Sequence, residues 1–482
     1  MKYVIVGGGA AGWITALFMQ DAYPESDITL IENSKIGILG AGESTLSAFV
    51  GFLRRVNIPI KEIIAATSAT VKIGSKFVGW TKGGEYTLPF DVSPNKQKGP
   101  PNARFSNDFY DMFNVIDGVA DKSSIMSMIQ NNDVPFDSNL TQQSAFALNL
   151  DAGLLAKFLS KKAQERGVKI IDTLVQDFIA DADGNITSIV TEQGNVDCDF
   201  IFDCSGFARL VIGNFYKAKW QSYTDILPVD AALPFFLPRK GEQTVSYLTA
   251  TAANAGWMWR IPLQHRYGCG YTFDSSFISF EEAEREVRAI HGDEAFIPKA
   301  FNYKAGCYET PWIKNCVAIG VSSGFLEPLE ASSMFAIINM MEFSLNNKLF
   351  ENYSNLDRRI FNDHFMKFNR LNIDFIYLHY MGDLDHTPFW KTFKDRTKMP
   401  ERVKLIMEYS QHKIMTEKLY SELMEPMGSS LYAYKIWFHV LHGLNLISPK
   451  AKEHFKQRKL PPMPYSVQGI NHDTFLELCK QS

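Results

Sequence analysis

Residues 3–20 read YVIVGGGAAGWITALFMQ, and residues 27–32 read DITLIE. A short apolar run stops at three glycines, a longer apolar run follows, and a second short run comes after it. That order predicts strand, glycine turn, helix and strand, the βαβ opening of a parallel sheet. Gly7, Gly9 and Gly12 form Gly-x-Gly-x-x-Gly at the turn. The first glycine permits the tight turn, the second lets the backbone approach a pyrophosphate, and the third lets helix and strand pack closely. Ala10 and Ala11 open the helix, whose first N–H groups are free for phosphate oxygens. Glu32 follows Gly12 by 20 residues, at the end of the second strand. An acid there accepts hydrogen bonds from a ribose hydroxyl, so a dinucleotide site is predicted. FAD is favoured over NAD for two reasons. The motif opens a long chain, and Asp203-Cys204-Ser205-Gly206 ends a later apolar strand (FIFDCSGF, 200–207). FAD oxygenases return the chain beside the first fold with such a stretch.

The 482 residues are 46% hydrophobic and 21% charged, which excludes wholesale disorder. Lysine and arginine total 49 against 53 acids, a net charge of −4, so nucleic acid is not the expected partner. Six cysteines form no CxxC pair and read as reduced thiols. His439 and His442 share an apolar helix-like run and read as core, so no metal is expected. No signal peptide and no apolar run of membrane-spanning length is read, which predicts a soluble, cytoplasmic protein with no membrane partner.

Residues 1–340 are expected to form an FAD-binding module with an inserted antiparallel sheet at about 215–305. Residues 341–482 are expected to form a mainly helical subdomain on the substrate side. Residues 93–107, rich in Pro and Asn, read as an exposed loop, either an active-site cover or an ordinary insertion.

Several further motifs resemble those of the flavin-dependent halogenases, of which the tryptophan halogenases are best known. They are GGGAAGW (7–13), GAGEST (40–45), KIGSKFVGW (72–80), GWMWRIP (256–262), SSGFLEPLEASSM (322–334) and DFIYLHY (374–380) with Phe389-Trp390 behind it. The resemblance covers nearly the whole chain. It implies an α/β fold: a Rossmann-like module of the glutathione-reductase type, an antiparallel sheet and a helical C-terminal substrate subdomain. It also implies FAD used as FADH2, delivered by a separate flavin reductase. Reduced flavin and O2 give a C4a-hydroperoxide, halide converts this into hypohalous acid, and a lysine delivers electrophilic halogen to an electron-rich, indole-like aromatic.

Site residues follow from the same resemblance. Gly42 and Glu43 lie in the second flavin strap, and Val175, Val321 and Met334 are added as flavin contacts. Lys76 is taken as the catalytic lysine and Lys72 as structural. Without the resemblance, Lys76 reads as a surface lysine in an ion pair. Glu330 is taken as the carboxylate that orients hypohalous acid or takes the ring proton, with Glu327 structural. Read alone, Glu330 is a helix N-terminal acid. Ser332 and Ser333 are expected to hold the halide. Trp257 and Trp259 alternate on one strand and share a face. They read as core or as a partition between flavin and substrate. The tryptophan halogenases usually read E-S-T-G where this chain has Glu330-Ala331-Ser332-Ser333. That departure puts chloride in doubt and favours bromide or iodide. Two other readings stay open: a flavin-dependent aromatic hydroxylase or monooxygenase, and a flavin-binding protein without turnover.

Overall fold

A computed structural model describes residues 1–37, 42–90, 112–118, 124–423, 434–458 and 469–481. The loop at 93–107 and residues 40–41 of the GAGEST strap lie outside these. The opening unit forms as read: β1 (Lys2–Val6), α1 (Ala10–Ala22) and β2 (Asp27–Glu32). β1 and β2 are parallel, with Val6 beside Ile31. On its other side β1 pairs in parallel with Phe200–Asp203, so the FIFDCSG stretch does return beside the first strand. The six-stranded sheet runs Trp312–Ile313, Cys316–Ala318, Phe200–Asp203, β1, β2, Lys169–Asp172. Only the first of these strands is antiparallel to its neighbour.

Eight consecutive residues of α1, Gly12 to Met19, are buried. A helix apolar on all sides needs cover on all sides. The helices Ala152–Glu165 and Ser332–Asn346 pack against it. The first of these starts at Asp151, whose carboxylate accepts the Leu154 N–H at 3.0 Å and satisfies an otherwise orphaned donor.

A seven-stranded sheet runs Phe301–Asn302, Ala231–Pro238, Arg266–Phe273, Gly256–Pro262, Tyr247–Ala253, Gly74–Thr81, Gly84–Pro89. Its last two strands come from far upstream of the middle region. Tyr247–Ala253 and Gly74–Thr81 are parallel, with Thr249 beside Lys76. A third, small sheet places Ala147–Leu150 between Glu43–Ser44 and Thr70–Lys72. It ties the flavin strap to the lysine segment through one shared strand. The chain changes sheet at Ile73, whose N–H donates to the Ser246 carbonyl at 2.8 Å.

From Ser332 onward the described chain is mainly helical. The longest helix, Asn355–His379, begins with a capping box between Ser354 and Asp357. Its C-terminal turns, Leu371 to His379, are buried and carry DFIYLHY into the interior. Near the end, Ile470–Asn471 pairs with Asp133–Val134 and leads into the helix His472–Gln481. The six cysteines are buried and free. Among the described residues no helix is long and apolar enough to cross a membrane.

Candidate active site

The glycines of the first turn are fixed by close approach. Gly7 has φ +118°, and a Cβ there would lie 2.3 Å from the Cys204 carbonyl oxygen. A Cβ on Gly12 would lie 1.9 Å from the Gly7 carbonyl oxygen. At Gly9 a Cβ would meet open space, the side left for an incoming group. The Glu32 carboxylate lies across Gly8, whose Cβ would sit 1.9 Å from Oε2. Burial and the nearby Asp172 both raise the Glu32 carboxyl above its ordinary range. Behind the turn, buried Asp203 accepts hydrogen bonds from the backbone of Ser205, Val211 and Ile212 and from the Ser205 hydroxyl. The DCSG stretch is therefore a self-satisfied corner. Ala11 rests against Gly320, where a Cβ would come within 2.8 Å of its methyl carbon. Val175 packs in the small core of Val4, Val6 and Ile31, under the ends of β1 and β2. Gly7, Gly9, Ala10, Ala11, Gly12, Glu32 and Val175 thus lie at the β1–α1–β2 end.

The other predicted residues meet elsewhere, around an apolar cavity of about 230 Å³. Gly42, Glu43, Val321 and Met334 line it, together with Trp257, Trp259, Glu330, Ser332 and Ser333. Burial pushes the Glu43 carboxyl up to about 7. The two tryptophan rings are 5.9 Å apart. The Trp259 ring covers Gly270, and the Trp257 ring is 6.3 Å from that of Trp80. Trp257 Nε1–H donates to Glu327 Oε1 at 3.3 Å, and the Tyr380 hydroxyl donates to the same carboxylate at 3.0 Å. Glu327 is fully buried, and burial pushes its carboxyl up to about 8. It braces the tryptophan wall.

Glu330 and Ala331 are both left-handed, with φ +63° and +53°. Such conformations cost of order 1–3 kcal/mol each for non-glycine residues. They turn the chain sharply into the helix Ser332–Asn346 and leave Ser332 and Ser333 as its first turn on the cavity wall. The Glu330 carboxylate lies 3.5 Å from Nε2 of fully buried His379, whose Nδ1 is bonded to the Phe375 carbonyl at 2.9 Å.

Lys76 is absent from this assembly, and the expectation that placed it there is corrected. Ser75 and Phe77 line the cavity, so strand alternation turns Lys76 to the opposite face. There its Nζ pairs with Glu85 at 2.7 Å, partly exposed. The interior lysine is Lys72, which is 0% exposed. Its Nζ donates to the Thr45 carbonyl at 3.3 Å and lies 5.2 Å from the centre of the Phe90 ring. Burial pulls its amine down to about 8, against the carboxylate of Glu330, which favours the charged form. The break between the two lysines falls at Ile73, just before Gly74 opens the next strand.

The tryptophan halogenase family model matches residues 2–459. The chain belongs to the tryptophan halogenase family. It is 33% identical to the tryptophan 6-halogenase SttH of Streptomyces toxytricini, over 82% of this chain and 81% of that one. It is 30% identical to the tryptophan 7-halogenase RebH of Lentzea aerocolonigenes, over 98% and 93% of the two chains. Xcc4156, a flavin-dependent halogenase from Xanthomonas campestris, superposes with a TM-score of 0.83 at 27% identity, covering 100% of this chain and 94% of that one. The chain is thus an enzyme of the flavin-dependent halogenase kind, and FAD is the cofactor its family implies. The residues present fit that group: Gly7 and Gly12 admit no side chain, Gly9 opens outward, and Glu32 lies across the turn.

Proposed function

We propose that this enzyme oxidises halide with reduced FAD and O2 and transfers the halogen to an electron-rich, indole-like aromatic held beside Lys72. The observation that carries this reading is the placement of Glu330. It lines the cavity, lies 3.5 Å from His379 and favours the charged form of the Lys72 amine.

The β1–α1 turn and Glu32 would hold the dinucleotide end of FAD, with Val175 beneath it. Gly42, Glu43, Val321 and Met334 would flank the ring system. When bound and reduced, FAD supplies with O2 the two-electron oxidation that turns halide into hypohalous acid. Ser332 and Ser333 present backbone N–H groups at a helix N-terminus, which suits a halide ion. Trp257 and Trp259 keep the organic substrate away from the flavin side, which prevents its direct hydroxylation. Lys72 takes the role first expected of Lys76. With its amine held near 8, the ammonium form predominates at pH 7. That ammonium donates a hydrogen bond to the oxygen of hypohalous acid and weakens the oxygen–halogen bond. The arene forms the carbon–halogen bond, the O–X electron pair leaves with oxygen, and that oxygen becomes water. Glu330 accepts the ring proton, so ArH and HOX give ArX and H2O.

A separate flavin reductase supplies FADH2, as the family resemblance implies. Ala331 and Ser333 replace a hydroxyl-bearing residue and a glycine at the halide cradle. Bromide or iodide is therefore preferred over chloride, which is harder to oxidise.

The test is a halogenation assay read by mass spectrometry with FAD, a reductase, NADH, catalase and a panel of indoles and phenols. Each halide is supplied in turn. Halogenated product that requires reductase, flavin and halide is expected, with bromide or iodide ahead of chloride. Hydroxylated product formed without halide would overturn the reading.

A further inference from the structure

We infer that the C-terminal segment belongs to the catalytic apparatus: His472 clamps the strand Thr70–Lys72 and is a positioning residue for Lys72. The inference rests on the reading of Lys72 given above.

The strand Thr70–Lys72 is an edge of its small sheet. Among the described residues it pairs only with Ala147–Leu150, with Val71 opposite Leu148 and Lys72 opposite Ala147. A buried edge leaves backbone groups that need partners from outside the ladder. At Val71 the partner is a side chain 401 positions away: the Val71 N–H donates to Nε2 of His472 at 2.9 Å. Val71, Lys72 and His472 are all 0% exposed, so water cannot replace this acceptor.

The ring accepts at Nε2 only when it is neutral and carries its proton on Nδ1. Burial pulls His472 down to about 3, which keeps it neutral across any working pH. Nδ1, which then carries the proton, makes no hydrogen bond among the described residues, although the nearby backbone of Thr244 and Val245 favours a proton on the ring.

His472 is itself held from several sides. Its N–H donates to the Asn132 carbonyl at 2.9 Å, just after the pairing of Ile470 with Val134. The next residue, Asp473, accepts the Thr244 N–H at 3.3 Å, and Phe475 packs 4.3 Å from Phe136. Ser246, two residues beyond Thr244, accepts the Ile73 N–H. His472 and Asp473 therefore tie together the lysine strand and the approach to Tyr247–Ala253. Lys72 follows Val71 directly and reaches the Thr45 carbonyl from a strand that has a ladder partner on one side only; on the other side His472 works with the Thr70 hydroxyl, which donates to the Pro262 carbonyl at 2.6 Å, and the Ile73 N–H. Remove the clamp, and Val71 is left with a buried unpaired N–H while Lys72 loses its fixed base. His472 lies beyond residue 459, where the family match ends, so no motif points to it.

The test uses the full chain, with hydrogen exchange and steady-state kinetics on His472→Leu, His472→Asn and His472→Gln. Leu offers no acceptor, Asn is too short to reach Val71, and the longer Gln oxygen can take the same N–H. In the Leu and Asn variants, peptides containing Thr70–Lys72 should exchange about tenfold faster or more, while those from Gly256–Pro262 stay protected. Halogenation of indole with bromide should lose about tenfold or more in kcat with KM nearly unchanged. His472→Gln should restore most of both. Wild-type exchange of the lysine strand in Leu and Asn variants would overturn the clamp. Faster exchange with undiminished kcat, while Lys72→Ala is inactive, would overturn the positioning role. An active Lys72→Ala would instead remove the reading of Lys72, and the exchange data alone would then decide whether His472 holds the strand.

Discussion

Lys72 and Lys76 stand four residues apart in different sheets. Lys72 ends a three-residue edge strand, buried, with Glu330 and Thr45 before it. Lys76 lies within an eight-residue strand, paired with Glu85 and partly open to water. The side chains are chemically identical. In one place burial holds the amine near 8; in the other it is one half of a surface ion pair worth little. What makes a lysine suited to handle an electrophilic halogen is its surroundings, and four residues of chain are enough to change them.

The contrast can be attacked through the partners of the two lysines. Glu330→Gln should lower kcat by about 100- to 1000-fold, as loss of a proton acceptor does. Glu85→Gln, which frees Lys76, should change kcat by less than about twofold. Equal losses in steady-state kinetics would erase the distinction.

The protonation of Lys72 sharpens it next. Raising the pH through about 8 strips the proton that the lysine donates. The chemical rate should therefore fall about tenfold per pH unit above that point. A rate that rises through the same range would assign the work to the neutral amine.

A smaller effect is expected at the halide cradle. Restoring a hydroxyl and a glycine with Ala331→Ser and Ser333→Gly should raise chloride turnover relative to bromide by about fivefold, equivalent to about 1 kcal/mol. Competition between the two ions, read by product mass, checks this. An unchanged ratio would detach halide choice from these positions.

At Glu327, which braces Trp257 and Tyr380 without reaching the reaction, the expected change is in stability and not in rate. Burial raises its carboxyl from 4.5 to about 8, so the folded chain holds a proton that the unfolded chain sheds. Wild-type stability should fall as pH rises from about 4.5 to 8. Glu327→Gln removes that titration and should gain about 1–3 kcal/mol relative to wild type over the same range, with activity retained. Thermal unfolding at several pH values measures the difference.

The sequence was most legible where backbone geometry is local. At Gly12 a Cβ would strike the carbonyl oxygen of Gly7, five residues back, and the β1–α1–β2 unit formed as read, whereas the obstacle at Gly7 is the Cys204 carbonyl of the returning strand. Strand alternation likewise placed Trp257 and Trp259 on one face. Lys72 and Lys76 are four residues apart, a spacing that would put both on one face of a continuous strand, so the pattern alone does not tell the buried lysine from the exposed one. Here the strand breaks at Ile73 and changes sheet, so the parity is reset. His472 was hidden for a related reason. A single buried histidine has no spacing to read, and its partner is a backbone N–H that no sequence displays.

The most direct measurement compares Lys72→Ala with Lys76→Ala in one halogenation assay, with FAD, reductase, NADH, bromide, indole and catalase. Halogenated indole should fall by about 1000-fold or more in Lys72→Ala and stay within about twofold of wild type in Lys76→Ala. Full activity in Lys72→Ala, or its loss in a folded Lys76→Ala, would contradict the account.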